Sequence, residues 1–430
     1  MSGEANLISE MMNQETEVAV KRALERFYAS NDLRRIWPGA VSTQSPYRHP
    51  LEEIEIVVLP LDRIGAPAGA SGASVYIAYY SHNNSTSTQL APSQPLVVKI
   101  GTYHKLNEEK KGADSWATLT DNEKTKFAFP LHLDFEDEEH AILLAPFQSL
   151  SKVAEGGNRN EVQVRDLWHL LDDKSELMSA ANVSWARISD LVSQALDAMK
   201  PAHRGILAKQ SPAEFDYATQ YNRYLRNTTS GGKRSAKYIT TSLFGNDPVT
   251  TAFGLEWPNP TGVVRRIIDH RMRFTGFLGA VHGDLHPKNI VLDNFGGVQI
   301  IDFGWAAVNR HVIRDYVLLD LNLRGTTLPS QVSELGILQL ARFLRETDEV
   351  SSLPPAVRGR AGILCNVIWK KARENAIVTD WDHEYLIPLF LVGYGLLVHL
   401  DSARNQQSLV ATVLQLAKEL DAIVPPDLAA

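Results

Sequence analysis

His282-Gly283-Asp284-Leu285-His286-Pro287-Lys288-Asn289, followed by Ile300-Ile301-Asp302-Phe303-Gly304, is the stretch on which the reading of this chain turns. Asp284 and Asn289 stand five positions apart, and Asp302 arrives thirteen residues after Asn289. Between them, residues 289–293 and 298–301 read as two short apolar strands around the turn Asn294-Phe295-Gly296-Gly297. A hairpin of that kind predicts that Asn289 and Asp302 come to the same end. Phosphoryl transfer needs a carboxylate beside the attacking hydroxyl and oxygen ligands for the metal that neutralises the phosphates. Asp284 is the candidate base, and Asn289 and Asp302 are the candidate ligands. Two oxygen donors, completed by nucleotide phosphates and water, suit Mg²⁺, which prefers an octahedral oxygen shell.

Upstream, residues 54–60 and 74–80 are β-rich runs on either side of Gly65-Ala66-Pro67-Ala68-Gly69-Ala70-Ser71-Gly72-Ala73. Small residues at Ser71 and Gly72 let backbone N–H groups approach a phosphate closely. The loop is not a Walker A sequence, because the Gly-Lys-Ser/Thr ending is absent. Next comes Pro95-Leu96-Val97-Val98-Lys99-Ile100-Gly101, a strand with one lysine in its apolar centre. A lysine there is costly to bury unpaired, so it calls for an acid. The helical pattern over 106–119 supplies Glu108 and Glu109. Either could face Lys99; Glu109 is preferred because Leu106, Ala113 and Trp116 mark a packed face near it.

Composition bounds the rest. The chain has 430 residues, 44% hydrophobic and 22% charged, as in an ordinary globular protein. Its formal net charge of −7 argues against a general nucleic-acid or anionic-membrane surface. One cysteine, Cys365, excludes an intramolecular disulfide or a thiolate metal cluster. No basic stretch followed by an apolar run opens the sequence, so a cytoplasmic location is expected. The longest apolar stretch, 385–398, falls short of the roughly 20 residues needed to cross a bilayer and reads as a buried core helix.

The offset of Asp284 from Asn289 is that of the protein-kinase catalytic loop. His-Gly-Asp-x-x-x-x-Asn, matched from His282 to Asn289, resembles the motif of the aminoglycoside phosphotransferase-like branch of the protein-kinase-like fold. Val97-Val98-Lys99-Ile100-Gly101, Trp257-Pro258-Asn259-Pro260 and Arg314-Asp315 are similar to a bacterial subgroup, the ternary complex associated domain kinases. The resemblance implies an α+β, bilobal fold with a small antiparallel β N-lobe and a large, mainly helical C-lobe. It implies Asp284 as base, Asn289 and Asp302 as Mg²⁺ ligands, Lys99 as phosphate clamp and Glu109 as its partner. His286 stands where protein kinases carry a lysine toward the γ-phosphate, which implies a phosphate contact; a structural histidine is the other reading. His282 braces the loop. Residues 141–147 resemble the last N-lobe strand before the hinge, so that Leu144 and Phe147 would border a purine ring. Asp315 is placed either to hold the catalytic loop's backbone or to favour a helix N-terminus.

The expected organisation is an N-terminal helical extension (1–50), an N-lobe (51–147) and a C-lobe (148–430) with a large insertion at 152–280. Helices are expected over 15–28, 186–199 and 213–226, and from 313 onward. Residues 201–237 hold seven Lys or Arg against Glu214 and Asp216, either a solvated face or a site for an anionic substrate. The activity expected is ATP- or GTP-dependent transfer of the γ-phosphate to a hydroxyl of a small molecule or a protein. The alternatives are a nucleotide-binding scaffold, or pseudokinase, in a bacterial signalling or conflict system, and transfer of AMP on the same fold. Residues 1–50 and 152–280 are the segments open to a protein partner.

Overall fold

The computed structural model describes residues 6–9, 14–29, 54–60, 74–82, 96–116, 119, 121–135, 138–146, 166–171, 184–204, 212–225, 236–292 and 297–426. The chain divides into two compact units, 1–165 with 291–306, and 166–290 with 307–430.

The first unit is built on a six-stranded sheet, β1 (Asn6–Ser9), β2 (Ile54–Pro60), β3 (Ser74–His82), β4 (Leu96–Gly101), β5 (His132–Phe135) and β6 (Ala141–Pro146), in the order β1-β2-β3-β4-β6-β5. All neighbours are antiparallel except β1, which adds in parallel to β2. Successive residues of a strand face opposite sides, and β4 uses both. Leu96 and Val98 join Ala78, Ile142 and Leu144 against Val20, Ala23, Leu24 and Phe27 of helix α1 (Gln14–Ala29). Lys99 pairs in register with Leu143. Leu143 packs with Ala141 and with Leu106 of helix α2 (Tyr103–Asp114), on the other face. α2 begins three residues before the expected start and ends at Asp114.

The late segment of this unit contains the hairpin of β12 (Ile290–Leu292) and β13 (Val298–Ile300). Ile300 bridges Phe127 in parallel, giving its N–H to the Lys126 carbonyl and accepting from Ala128 N–H, each at 2.9 Å. Phe303 then inserts among Trp116, Phe127 and Phe129, with ring centroids 4.7–6.2 Å away, and is fully buried.

The second unit is mainly helical: α3 (Leu167–Leu171), α4 (Trp185–Arg204), α5 (Tyr217–Leu225), α6 (Pro260–Asp269), α7 (Ile313–Leu321), α8 (Ile387–Leu396) and α9 (Gln406–Asp421) lead its helices. Its strands form two-stranded ribbons: β7 (Ala213–Asp216) with β10 (Arg273–Gly276), β8 (Val249–Ala252) with β9 (Leu255–Pro258), and β11 (Leu278–Val281) with β14 (Ala307–His311). The helix expected over 213–226 is therefore corrected: its first four residues pair with β10, and only Tyr217–Leu225 is helical. Asn259, from the Trp-Pro-Asn-Pro motif, caps α6 by accepting from Thr261 N–H, while its amide donates to the Gly245 and Asp247 carbonyls.

At the centre, Arg324 is fully buried and satisfied: it donates to Asp320 at 2.5 Å and to the Leu340 and Phe343 carbonyls. Asp320 also accepts from Trp369 and Tyr385. A buried ion pair survives only when its remaining donors and acceptors are met, and this one locks α7 among its neighbours. Asp382–Ser402 is long and apolar enough by composition to cross a membrane, but 67% of that window is buried within the fold. The apolar stretch has the core position expected of it. The α+β class read from the sequence holds.

Candidate active site

In the first unit, strand alternation and helix phase bring three of the candidate residues together. Lys99 is 8% exposed and its Nζ donates to Glu109 Oε1 at 2.6 Å; Glu108, one position away, lies in the open beside His104. Burial pushes the Glu109 carboxyl up, the Lys99 ammonium pulls it down, and Asp302 adds to the upward push; the net direction is upward. Glu109 also accepts from the backbone N–H of Phe303. Asp302 Oδ1 stands 3.8 Å from Lys99 Nζ, with its side chain about one-third exposed. Its φ is +69°, a left-handed conformation that non-glycine residues adopt at a cost, aspartate among the more tolerant, and that clusters at functional sites. Gly112 permits the approach: a Cβ there would collide with the Phe303 carbonyl oxygen. The sequence reading missed Gly112, though a lone glycine inside a helical pattern is a packing signal.

In the second unit, the loop after β11 gathers the others. Gly283 has φ +76°, which glycine supplies without strain. Asp284 follows, its side chain about one-third exposed, with His286 Nε2 3.7 Å from Oδ2. His286 also caps the short turn Pro287–Asn289, its Nδ1 accepting from Lys288 N–H at 3.2 Å. Asn289 donates its amide to the Asp284 carbonyl at 2.9 Å, which leaves the side-chain oxygen for another partner. His282 is fully buried and its Nδ1 accepts from Asp284 N–H.

Asp315, fully buried near the start of α7, holds this loop from beneath. Oδ1 accepts from Gly283 N–H at 2.8 Å; Oδ2 accepts from His282 N–H at 3.0 Å and lies 2.9 Å from His203 Nε2. Burial would raise the Asp315 carboxyl, but the hydrogen bond and charge of His203, the charge of His282 and the Gly283 N–H together hold it below the usual carboxylate range. Of the two readings of Asp315, the loop-holding one describes its contacts. His203 was invisible to sequence reasoning, since it lies 112 positions away. α5 adds Tyr224, whose hydroxyl donates to the Gly283 carbonyl at 3.4 Å, and α3 adds Trp168, whose ring lies 4.4 Å from Lys288 Nζ.

The expectation for Leu144 is corrected. Its side chain is fully buried against α1, and its carbonyl accepts from Leu131 N–H at 2.8 Å, so neither can meet a purine. Ser71, Gly72 and Phe147 lie outside the described residues. Among the described residues no group of three or more His, Cys, Asp or Glu could hold a metal ion. Taken each by itself, Asn289 offers an amide oxygen and Asp302 a carboxylate, both oxygen donors of the type Mg²⁺ takes.

The sequence model of the family described as ternary complex associated domain 9 matches residues 163–392. Comparison with curated proteins gives no match. Among solved structures, the chain is similar to a glucosamine kinase at 12% identity, covering 86% of this chain and 80% of that one with a TM-score of 0.40. It is also similar to a thermostable mutant of an aminoglycoside phosphotransferase in ternary complex with ADP and hygromycin B, at 11% identity, 83% and 93% coverage and a TM-score of 0.38. A third is choline kinase LicA from Streptococcus pneumoniae, at 14% identity, 85% and 99% coverage and a TM-score of 0.33. With more than half of its length matched by the one family model, the chain belongs to the ternary complex associated domain 9 family.

Proposed function

We propose that the chain is an ATP- or GTP-dependent phosphotransferase that moves the γ-phosphate of a Mg²⁺-bound nucleotide to a hydroxyl group. The observation that carries this reading is the buried Lys99–Glu109 pair with Asp302 3.8 Å away in a left-handed backbone. A buried pair contributes little net stability, and a strained carboxylate beside it costs more. That combination is expected where charge has to be presented to a ligand. Lys99 contacts the α/β-phosphates, and Glu109 fixes the ammonium in position. Asn289 and Asp302 are the residues that would hold a Mg²⁺, and the ion would supply neutralisation of phosphate charge. Asp284 takes the proton of the acceptor hydroxyl as its oxygen bonds to the γ-phosphorus and the bond from that phosphorus to the β–γ bridging oxygen breaks, so that the diphosphate leaves. His286, 3.7 Å from Asp284, contacts the transferred phosphate. Acceptor choice is assigned to 152–280, because α5 from that segment reaches the catalytic loop through Tyr224.

The test is turnover of γ-labelled ATP with Mg²⁺ and host extract as acceptor, comparing the wild type with Asp284→Asn and Asp302→Ala. Positioned acid–base groups contribute about 10²–10⁴-fold, so Asp284→Asn is expected to lose turnover by that factor while keeping nucleotide affinity. A labelled product formed equally well by Asp284→Asn sinks the assignment. Nucleotide binding with no transfer by the wild type favours a scaffold, and label delivered only from the α-position means AMP transfer.

A further inference from the structure

Arg314 opens a second question beside the catalytic loop. It is 7% exposed, yet no described residue pairs with its guanidinium; Nε is buried without any hydrogen-bond partner. The ring of Tyr221 lies 5.2 Å from the guanidinium carbon. The adjacent acid is turned elsewhere: the partners of the Asp315 carboxylate are the loop N–H groups and His203. The side chain of Arg310, half-buried on β14, likewise has no ion pair or hydrogen bond among the described residues. Arg310 stands four residues before Arg314, and burial first, then the charge of Arg314, lower its pKa. A buried charge without a counter-ion is expensive, and a planar guanidinium fork is the group best suited to a carboxylate or phosphate.

The position of this unpaired charge adds a second fact. Tyr221, over whose ring Arg314 lies, stands 6.4 Å ring to ring from Tyr224, whose hydroxyl donates to the Gly283 carbonyl next to Asp284. One tyrosine pair therefore links Arg314 to the loop that carries the candidate base. We propose that Arg310 and Arg314 form an oxyanion-binding site that takes a carboxylate or phosphate carried by the acceptor, so that the acceptor is an anionic alcohol. Calling the ligand an acceptor rests on the phosphotransferase reading; the binding of an oxyanion does not.

The experiment titrates the full chain, without nucleotide, with inorganic phosphate, glycolate and the neutral diol ethylene glycol by calorimetry, holding ionic strength constant with chloride. Phosphate or glycolate is expected to bind saturably and ethylene glycol not at all. Arg314→Gln should abolish binding, and Arg310→Gln should weaken it about tenfold, the loss of one charge-assisted contact. Lys99→Met, which alters the nucleotide cluster, should leave glycolate binding unchanged. If Arg314→Gln fails to fold, Arg310→Gln alone decides. Equal binding by wild type and Arg310→Gln, loss of glycolate binding in Lys99→Met, or no heat beyond that of chloride overturns the proposal. Oxyanion binding that persists in a chain with no γ-phosphate transfer overturns only the acceptor role.

Discussion

Asp315 touches no reacting atom in the proposed chemistry, yet three groups converge on its carboxylate, two N–H donors from the loop that carries Asp284 and the His203 ring from α4. An asparagine offers one acceptor oxygen in place of two and no charge. Removing one partner of a buried charged network costs about 3–5 kcal/mol, so Asp315→Asn should lose stability of that order at neutral pH, read by urea unfolding. The sign of its pH dependence follows from the depressed pKa. Below the unfolded value of about 4 the unfolded chain binds the proton that the folded chain refuses. The contribution is complete above about pH 4 and fades as pH falls through the lower folded value. In Asp315→Asn that part of the acid limb disappears; a variant whose acid limb overlays the wild type would show that the carboxylate is not what holds the loop. His311 has the same sign in a higher window. Burial first, then Arg314, holds it well below an ordinary histidine, while its Nδ1 accepts from Tyr221 at 2.7 Å. Stability should therefore begin to fall below about pH 6.5, where the unfolded histidine takes up its proton. His311→Gln should flatten the slope of urea midpoint against pH between about 6.5 and 5.

Among the elements, those with contiguous signals were legible and those defined by distant pairing were not. β4 announced itself by a single lysine in an apolar run, and α2 by the two glutamates after it; the helix phase then separates buried Glu109 from exposed Glu108. The loop at 282–289 was legible as a candidate site because its parts lie within eight residues. β7 was misread because Ala213–Asp216 runs into a helical pattern, and only its pairing with β10, near residue 275, makes it a strand. β1 has four residues and gains its place from β2. Glycines show how packing decides what sequence leaves open. Gly112→Ala must displace either α2 or the Phe303 carbonyl, since backbone cannot swing aside. Overpacking of this kind costs about 1–3 kcal/mol, and the displaced Phe303 drags Asp302 with it, so nucleotide affinity should fall together with the urea midpoint. Gly262→Ala, on α6 with nothing within 4 Å of the added carbon, should instead stabilise by roughly 0.5–1 kcal/mol. A Gly112→Ala chain as stable as wild type would mean that the close approach of α2 to Phe303 is not needed.

At the scale of the whole molecule, the two units are not two successive pieces of chain. The first takes back residues 291–306 after the second has begun, and the family match from 163 to 392 holds Asp284 and Asp302 but neither Lys99 nor Glu109. This interleaving has a folding consequence. Without 291–306 the first unit loses the Ile300 hydrogen bonds to Lys126 and Ala128 and the Phe303 ring that fills the space among Trp116, Phe127 and Phe129. Emptying a fully buried phenylalanine site costs about 3–5 kcal/mol, a large fraction of the 5–15 kcal/mol that holds a domain together. A fragment ending at 165 should therefore lack a sigmoidal thermal transition by circular dichroism, and the same fragment joined to 291–306 by a flexible linker should regain one. A cooperative transition in the shorter fragment would mean that the sheet and α1 suffice, and that Asp302 is delivered to a unit already folded without it. Failure of both fragments would place the determinants of the fold elsewhere in the chain.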